Sequence, residues 1–211
     1  MRKSYCIILL LLASLSALGQ KRVYLHKDEF RDDIYVTKSE DGDITAFFEL
    51  EILSRIDSLY LVANKSNVDA IRNYMIELRD TYDQWSIVAK RNKVKKVKKP
   101  FTIESPIVRF RWMERKQDNY SRFPVLRMSE HFSTTERWIT PDFVVTENGH
   151  ALVSFDLQLK DDAANSFHAR FFLSRSEINR IIRWADYGKL VSAYEGKKPR
   201  LTDKEVLDLF D

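Results

Sequence analysis

The chain has 211 residues, with 35 Lys and Arg against 31 Asp and Glu, a formal charge of +4. So small an excess does not mark a dedicated nucleic-acid binder, and a hydrophobic share of 44% excludes a disordered chain. Five Gly, five Pro and one Cys exclude collagen-like and Pro-rich architectures, a disulfide framework and a Cys-based zinc site.

The first segment reads as an export signal. Arg2 and Lys3 precede an unbroken apolar run from Ile7 to Ala13, and small or apolar residues continue to Leu18. Ala17 and Gly19 are the small residues that signal-peptidase cleavage needs, which predicts a signal peptide over 1–19 cut between Gly19 and Gln20. The twelve residues from Ile7 to Leu18 are too few for a membrane-spanning helix, which needs ~20. Cys6 lies inside this leader, so the expected mature chain 20–211 has no cysteine and no site for lipid attachment after the cut. A chain of that size buries enough surface to fold without disulfides, and a periplasmic or secreted bacterial protein is the expected setting.

The first structural block runs over 33–91. Asp33–Thr37 predicts a strand, and Asp41-Gly42 supplies the positive φ of a hairpin turn. In the next strand Ile44, Ala46, Phe48, Leu50 and Ile52 share one face, while Thr45, Phe47, Glu49 and Glu51 share the other. This is the period of a sheet with one dry side. Leu59–Val62 predicts a third strand. Val68, Ile71, Met75, Leu78, Tyr82 and Trp85 then recur at helical spacing behind a cap at Ser66 or Asn67.

Residues 92–141 form a connecting region, entered through seven cations in ten positions: Lys90, Arg91, Lys93, Lys95, Lys96, Lys98 and Lys99. Such a run suits the solvated end of a helix, where cations complement the dipole. It also suits an anion-binding strip for lipid headgroups or acidic polymers. Further strands are expected at Ile107–Met113, with Val108, Phe110 and Trp112 inward and Arg109 and Arg111 outward, and at Phe123–Met128.

The second block, 142–195, repeats the pattern of the first. Asp142–Thr146 echoes Asp33–Thr37, Asn148-Gly149 replaces Asp41-Gly42, and Phe155–Leu159 echoes Phe48–Ile52. Arg170–Leu173 then leads into a helix opened by a Ser174…Glu177 capping box, with Ile178, Ile181, Ile182 and Ala185 buried. Gly188 is expected to weaken or end that helix. A last capping box at Thr202–Glu205 predicts a C-terminal helix over 202–210.

The expected fold is therefore α+β, one domain over 20–211. An antiparallel sheet packs against two main helices, built from two β-β-β-α repeats about a pseudo-two-fold axis, with a short C-terminal helix added. Blocks of about 55–60 residues are marginal alone and should share one interior.

Catalytic signatures are missing. His26, His131, His150 and His168 form neither H-x-x-x-H nor H-E-x-x-H, so no metal site is expected. There is no G-x-S-x-G elbow and no Gly-rich phosphate or dinucleotide loop, so no cofactor is expected. Glu49 and Asp156 occupy matching positions in the two blocks. They are the candidate carboxylates for an exported hydrolase of cell-wall or glycan material, which would need them ~5–10 Å apart; otherwise they are charges on the wet side of a strand. The leading expectation is a non-catalytic binding or interaction protein of the bacterial cell envelope. It would act through its sheet surface, where Phe47 and Leu152 face outward, or through the basic segment. The partners expected are an anionic polymer, a membrane surface or an envelope protein, with no specific nucleic acid.

Overall fold

Alternating apolar residues organise much of the described chain into strands. The computed structural model describes residues 21–28, 31–52, 56–114, 132–160 and 166–197. In chain order the strands are β1 (Val23–Asp28), β2 (Arg31–Lys38), β3 (Ile44–Glu49), β4 (Ile56–Asn64), β5 (Val97–Pro100), β6 (Val108–Glu114), β7 (Ser133–Arg137), β8 (Asp142–Val145), β9 (Ala151–Lys160) and β10 (Ser166–Leu173). The helices are α1 (Val68–Arg91), α2 (Arg175–Trp184) and α3 (Tyr187–Tyr194). The expected leader 1–19, the strand at Phe123–Met128 and the helix at 202–210 lie outside the described residues.

The fold is α+β, but the strands form two antiparallel sheets where one was expected. The first has the order β1-β2-β3-β4-β6-β7 and the second β10-β9-β8-β5. The first block supplies the meander β2-β3-β4 to one sheet, and the second supplies β8-β9-β10 to the other. Gly42 (φ 90) and Gly149 (φ 83) make the hairpin turns in the left-handed region that glycine enters without strain.

The inward faces meet. Phe48, Leu59, Leu61, Phe110 and Trp112 of the first sheet share one continuous buried cluster with Phe155, Leu157, Leu159 and Phe171 of the second. Phe155 stacks on Phe171 at 4.6 Å, and Phe171 reaches Phe110 across the sheets at 6.4 Å. An isolated bridge between Ile52 and Phe171 joins the two sheets through the backbone. Full burial of one such ring contributes about 1.5–3 kcal/mol, so this layer dominates cohesion.

Helix α1 buries Val68, Ile71, Tyr74, Met75, Leu78 and Tyr82 along one stripe, as its periodicity predicts. Tyr82 also donates to the Ala151 carbonyl at 2.8 Å, tying α1 to β9. Asn67 sits at the N-cap, yet its side chain does not cap the helix. Its Oδ1 accepts from the Asn64 amide at 2.8 Å and its Nδ2 donates to the Val62 carbonyl, which fastens the helix start to β4.

The second block's helix is shorter than expected. The Ser174–Glu177 capping box forms, but α2 stops at Trp184, where Ala185 (ψ 66) leaves helical geometry. Asp186 then accepts from the Lys189 amide at 3.0 Å and starts α3. Gly188 therefore lies inside α3; the break comes from a new N-cap competing with helix continuation.

Candidate binding face

The basic segment is more ordered than a solvated helix end. Helix α1 closes in a Schellman turn: the Val94 amide donates to Ala89 O at 2.9 Å and the Lys93 amide to Lys90 O at 3.2 Å. Lys93 takes the left-handed position (φ 50) that usually falls to glycine, and Lys96 (φ 54) is left-handed too. Val97–Pro100 then pairs with β8 as an edge strand. Lys96 meets Glu147 at 2.5 Å, Lys98 meets Asp142 at 2.9 Å, and Lys99 Nζ sits 3.8 Å above the Trp85 ring. Lys90, Arg91, Lys93 and Lys95 are exposed and have no ion-pair partner among the described residues.

The two candidate carboxylates lie on different sheets, each on the side turned away from the shared interior. Glu49 alternates with the buried Phe48 and Leu50, and Asp156 with Phe155 and Leu157. Asp156 accepts from Arg170 Nη2 at 2.8 Å and lies 3.9 Å from His168 Nδ1. The Arg170 hydrogen bond holds its carboxyl below the ordinary range, with the charges of Arg170, His168 and Lys98 adding to the effect. A general acid for glycoside hydrolysis needs the opposite shift. Exposed His150 and His168 join no cluster of three metal-ligating side chains among the described residues. The His26 side chain and all of His131 fall outside that description. No helix among the described residues is long and apolar enough to cross a membrane.

The outer face of the six-stranded sheet is different. Strand register places Tyr24 opposite Tyr35, Tyr35 opposite Phe47, Phe47 opposite Val62, and Tyr60 opposite both Glu49 and Arg111. All of these residues share the side away from the main core. Tyr35, Phe47 and Val62 are buried there in a second cluster, with Tyr60 packed against it. Tyr35 stacks on Phe47 at 4.7 Å, Tyr60 meets both edge-on at 5.5 and 6.3 Å, and Phe132 extends the row 6.3 Å from Tyr60. Phe47, expected on a wet face, is 6% exposed because neighbouring rings cover it.

Charge is set into this aromatic surface. The Arg111 guanidinium lies 4.0 Å from the Phe132 ring centroid and 5.3 Å from that of Phe47, and Arg22 lies 5.3 Å from Tyr35. Arg109 is anchored separately: its Nε and Nη2 both donate to Glu136 Oε1, at 2.9 and 2.5 Å. Burial, then the charge of Glu49, pushes the Tyr60 phenol up to about 12, and burial raises Tyr35 against the pull of Arg111. Both phenols stay protonated, so the permanent charges here are those of arginines and carboxylates.

Between β3, β4, β6 and β7 the face sinks into an open depression of about 490 Å³. Phe47 and Val62 form its apolar floor, Arg109, Arg111 and Phe132 its charged and aromatic wall, and Thr45 and Thr134 contribute hydroxyls. At the end of the β6–β7 ladder, beyond the Val108–Arg137 pair, Ile107 and Trp138 are 51% and 70% exposed. The sequence contains a signal for this surface: Tyr35, Phe47 and Tyr60 are aromatic at the off-core positions of their strands. The cross-strand alignment that gathers them is not visible in sequence. Neither a protein-family model, nor a curated protein, nor a solved structure matches this chain.

Proposed function

We propose that the protein is an exported, non-catalytic binding protein of the bacterial cell envelope that takes its ligand on the outer face of the six-stranded sheet. One observation carries this reading: Arg111, held against Phe132 and Phe47, lies in an open depression beside two threonines. A sheet face that only meets water needs neither a buried aromatic row nor a guanidinium laid across it. The export signal over 1–19 supports the compartment. Mature protein whose first residue is Gln20, recovered from the periplasm or medium, would test that part.

The binding reading is tested with insoluble envelope material from a Gram-negative bacterium. Mature protein should be retained, and Thr134→Trp, which fills the depression from an exposed position, should abolish retention while the circular dichroism spectrum is preserved. Equal retention of the variant would overturn the assignment of the face. The exposed cations Lys90, Arg91, Lys93 and Lys95 are a second, electrostatic contact for anionic polymer or membrane surface. That contact should weaken steeply with added salt. The hydrolase reading gains no support from Glu49 and Asp156, which lie on different sheets, each on the side away from the shared interior.

We further infer that the two meander-and-helix units descend from one copied module. Their hairpin turns support this through matching hydrogen bonds. Ser39 N donates to Asp43 O at 2.9 Å and Gly42 N to Ser39 O at 3.0 Å; Thr146 N donates to His150 O and Gly149 N to Thr146 O at the same distances. In both turns the hydroxyl of the first residue, Ser39 or Thr146, accepts the amide of the fifth at 3.1 Å. A chain carrying two copies of one unit should fold cooperatively if the units are interchangeable; failure to fold counts against the inference.

A further inference from the structure

We propose that the depression on the six-stranded sheet binds a carboxylate-bearing sugar residue, with Arg111 receiving the carboxylate. This rests on the reading of that face as the binding surface and names the ligand class it would take.

Arg111 is already positioned for the task. Contact with the Phe132 and Phe47 rings restrains the guanidinium, and it has no ion-pair partner among the described residues. A planar fork of N–H donors matches the two oxygens of a carboxylate, and the aromatic lining strengthens the attraction by excluding water. Beside it, Arg109 and Glu136 present an exposed donor and an exposed acceptor as one pair, a combination suited to neighbouring ring hydroxyls. The hydroxyls of Thr45 and Thr134 add groups that both donate and accept. Phe132, half-buried, offers apolar surface to the C–H face of a pyranose. About 490 Å³ is room for one or two sugar rings, within the usual range for ligand sites.

Other anionic ligands fit less well. A nucleic acid stacks its bases on open ring faces, yet Tyr35 and Phe47 are stacked on each other and buried. A phosphate backbone needs a track of cations, whereas Arg109 is paired with Glu136 and Glu49 lies on the same face. A peptide bound as an added strand would pair along the terminal strand β7, at the rim of the depression, because β3, β4 and β6 beneath it are paired on both sides.

The test is titration calorimetry of the mature protein with trisaccharides of galacturonate, glucuronate-containing hyaluronate and mannuronate, with the methyl ester of the best of them, and with hexaglutamate. At least one acidic trisaccharide should bind, and its methyl ester should bind about 10- to 100-fold more weakly, the size expected for losing a charge-assisted hydrogen-bonded pair. Arg111→Met should weaken the acid by the same factor and bind acid and ester alike. Arg111→Lys, which keeps the charge without the fork, should fall between. Equal binding of acid and ester, binding of hexaglutamate in place of any saccharide, or binding of none of the three would each overturn the proposal. If saccharides fail while Thr134 still governs retention on envelope material, only the ligand class is lost; if that dependence is absent too, the binding face falls with it.

Discussion

Lys93→Gly should make this protein more stable. Lys93 is the left-handed residue of the Schellman turn closing α1, with φ of 50 and both of the motif's hydrogen bonds formed. A residue with a Cβ in that region is disfavoured by about 1–2 kcal/mol, while glycine loses more chain entropy on folding, about 0.5–1 kcal/mol. The net gain expected is about 0.5–1 kcal/mol, or a rise in Tm of about 1–4 °C for a chain of this size. Urea denaturation of the mature protein should show a higher midpoint at unchanged slope. Lys93→Gly also thins a crowd of cations, so Lys95→Gln is the control for relief of repulsion. If Lys93→Gly leaves the midpoint in place or lowers it, or if Lys95→Gln raises it equally, backbone strain is not the cause. Lysine retained where glycine is the better residue is what selection for charge at that turn would produce. Lys93→Gly should accordingly weaken any salt-sensitive binding to anionic vesicles while raising stability.

Three other perturbations probe separate parts of the fold. Gly149→Ala should destabilise by about 1 kcal/mol through backbone strain alone, since φ is 83 and an added Cβ would meet no atom within 4 Å; a neutral result in urea titration would refute the turn geometry. Phe171→Ala should cost about 3–5 kcal/mol, because the ring stacks on Phe155 and touches Phe110 between the sheets; a loss under 1 kcal/mol would mean the sheets do not share this layer. Stability should also fall as pH rises from about 10 towards 12. The Tyr60 phenol is pushed up to about 12 by burial first and Glu49 second, so its contribution is intact below the ordinary value of 10 and is lost above it. Urea midpoints measured across that range should fall less steeply in Tyr60→Phe, and identical pH profiles would refute the shift.

Local rules made the inward half of the structure legible. The period-two runs around Phe48, Phe110 and Phe155, the stripe from Val68 to Tyr82 and the capping box at Ser174 each depend on residues a few positions apart, and each formed as expected. The division into two sheets was hidden because it depends on partners far apart in sequence: β4 pairs with β6 across α1 and β5, and β5 pairs with β8. Strands β1, β5 and β7 were missed. Their sequences VYLHKD, VKKP and STTER are short or polar and gain strand geometry from a neighbour. The candidate site was missed for the same reason. Tyr35, Phe47, Tyr60, Arg111 and Phe132 come from separate segments, and only sheet register aligns them.

The two sheets differ most on their outer faces. Inward positions of the two sheets share an apolar character: Val36 and Phe143, Phe48 and Phe155, and Leu61 and Phe171 are all buried. Outward positions do not. Where the first sheet has Tyr35, Phe47 and Tyr60, the second has Asp142, Ser154 and Arg170 at the matching places of its ladders. The second sheet's outer side pairs Asp156 with Arg170 and Asp142 with Lys98, beside half-buried Val144, Leu152 and Phe172 and without an aromatic row. An aromatic row in the equivalent place contributes little to joining the sheets, because it lies on the far side of the strands from Phe110 and Phe171. If it served only as a small second core, an aliphatic residue at 111 would cover Phe47 and Phe132 without the side-chain entropy lost in holding a long cation there. The proposed carboxylate ligand would give Arg111 a role that an aliphatic residue could not fill.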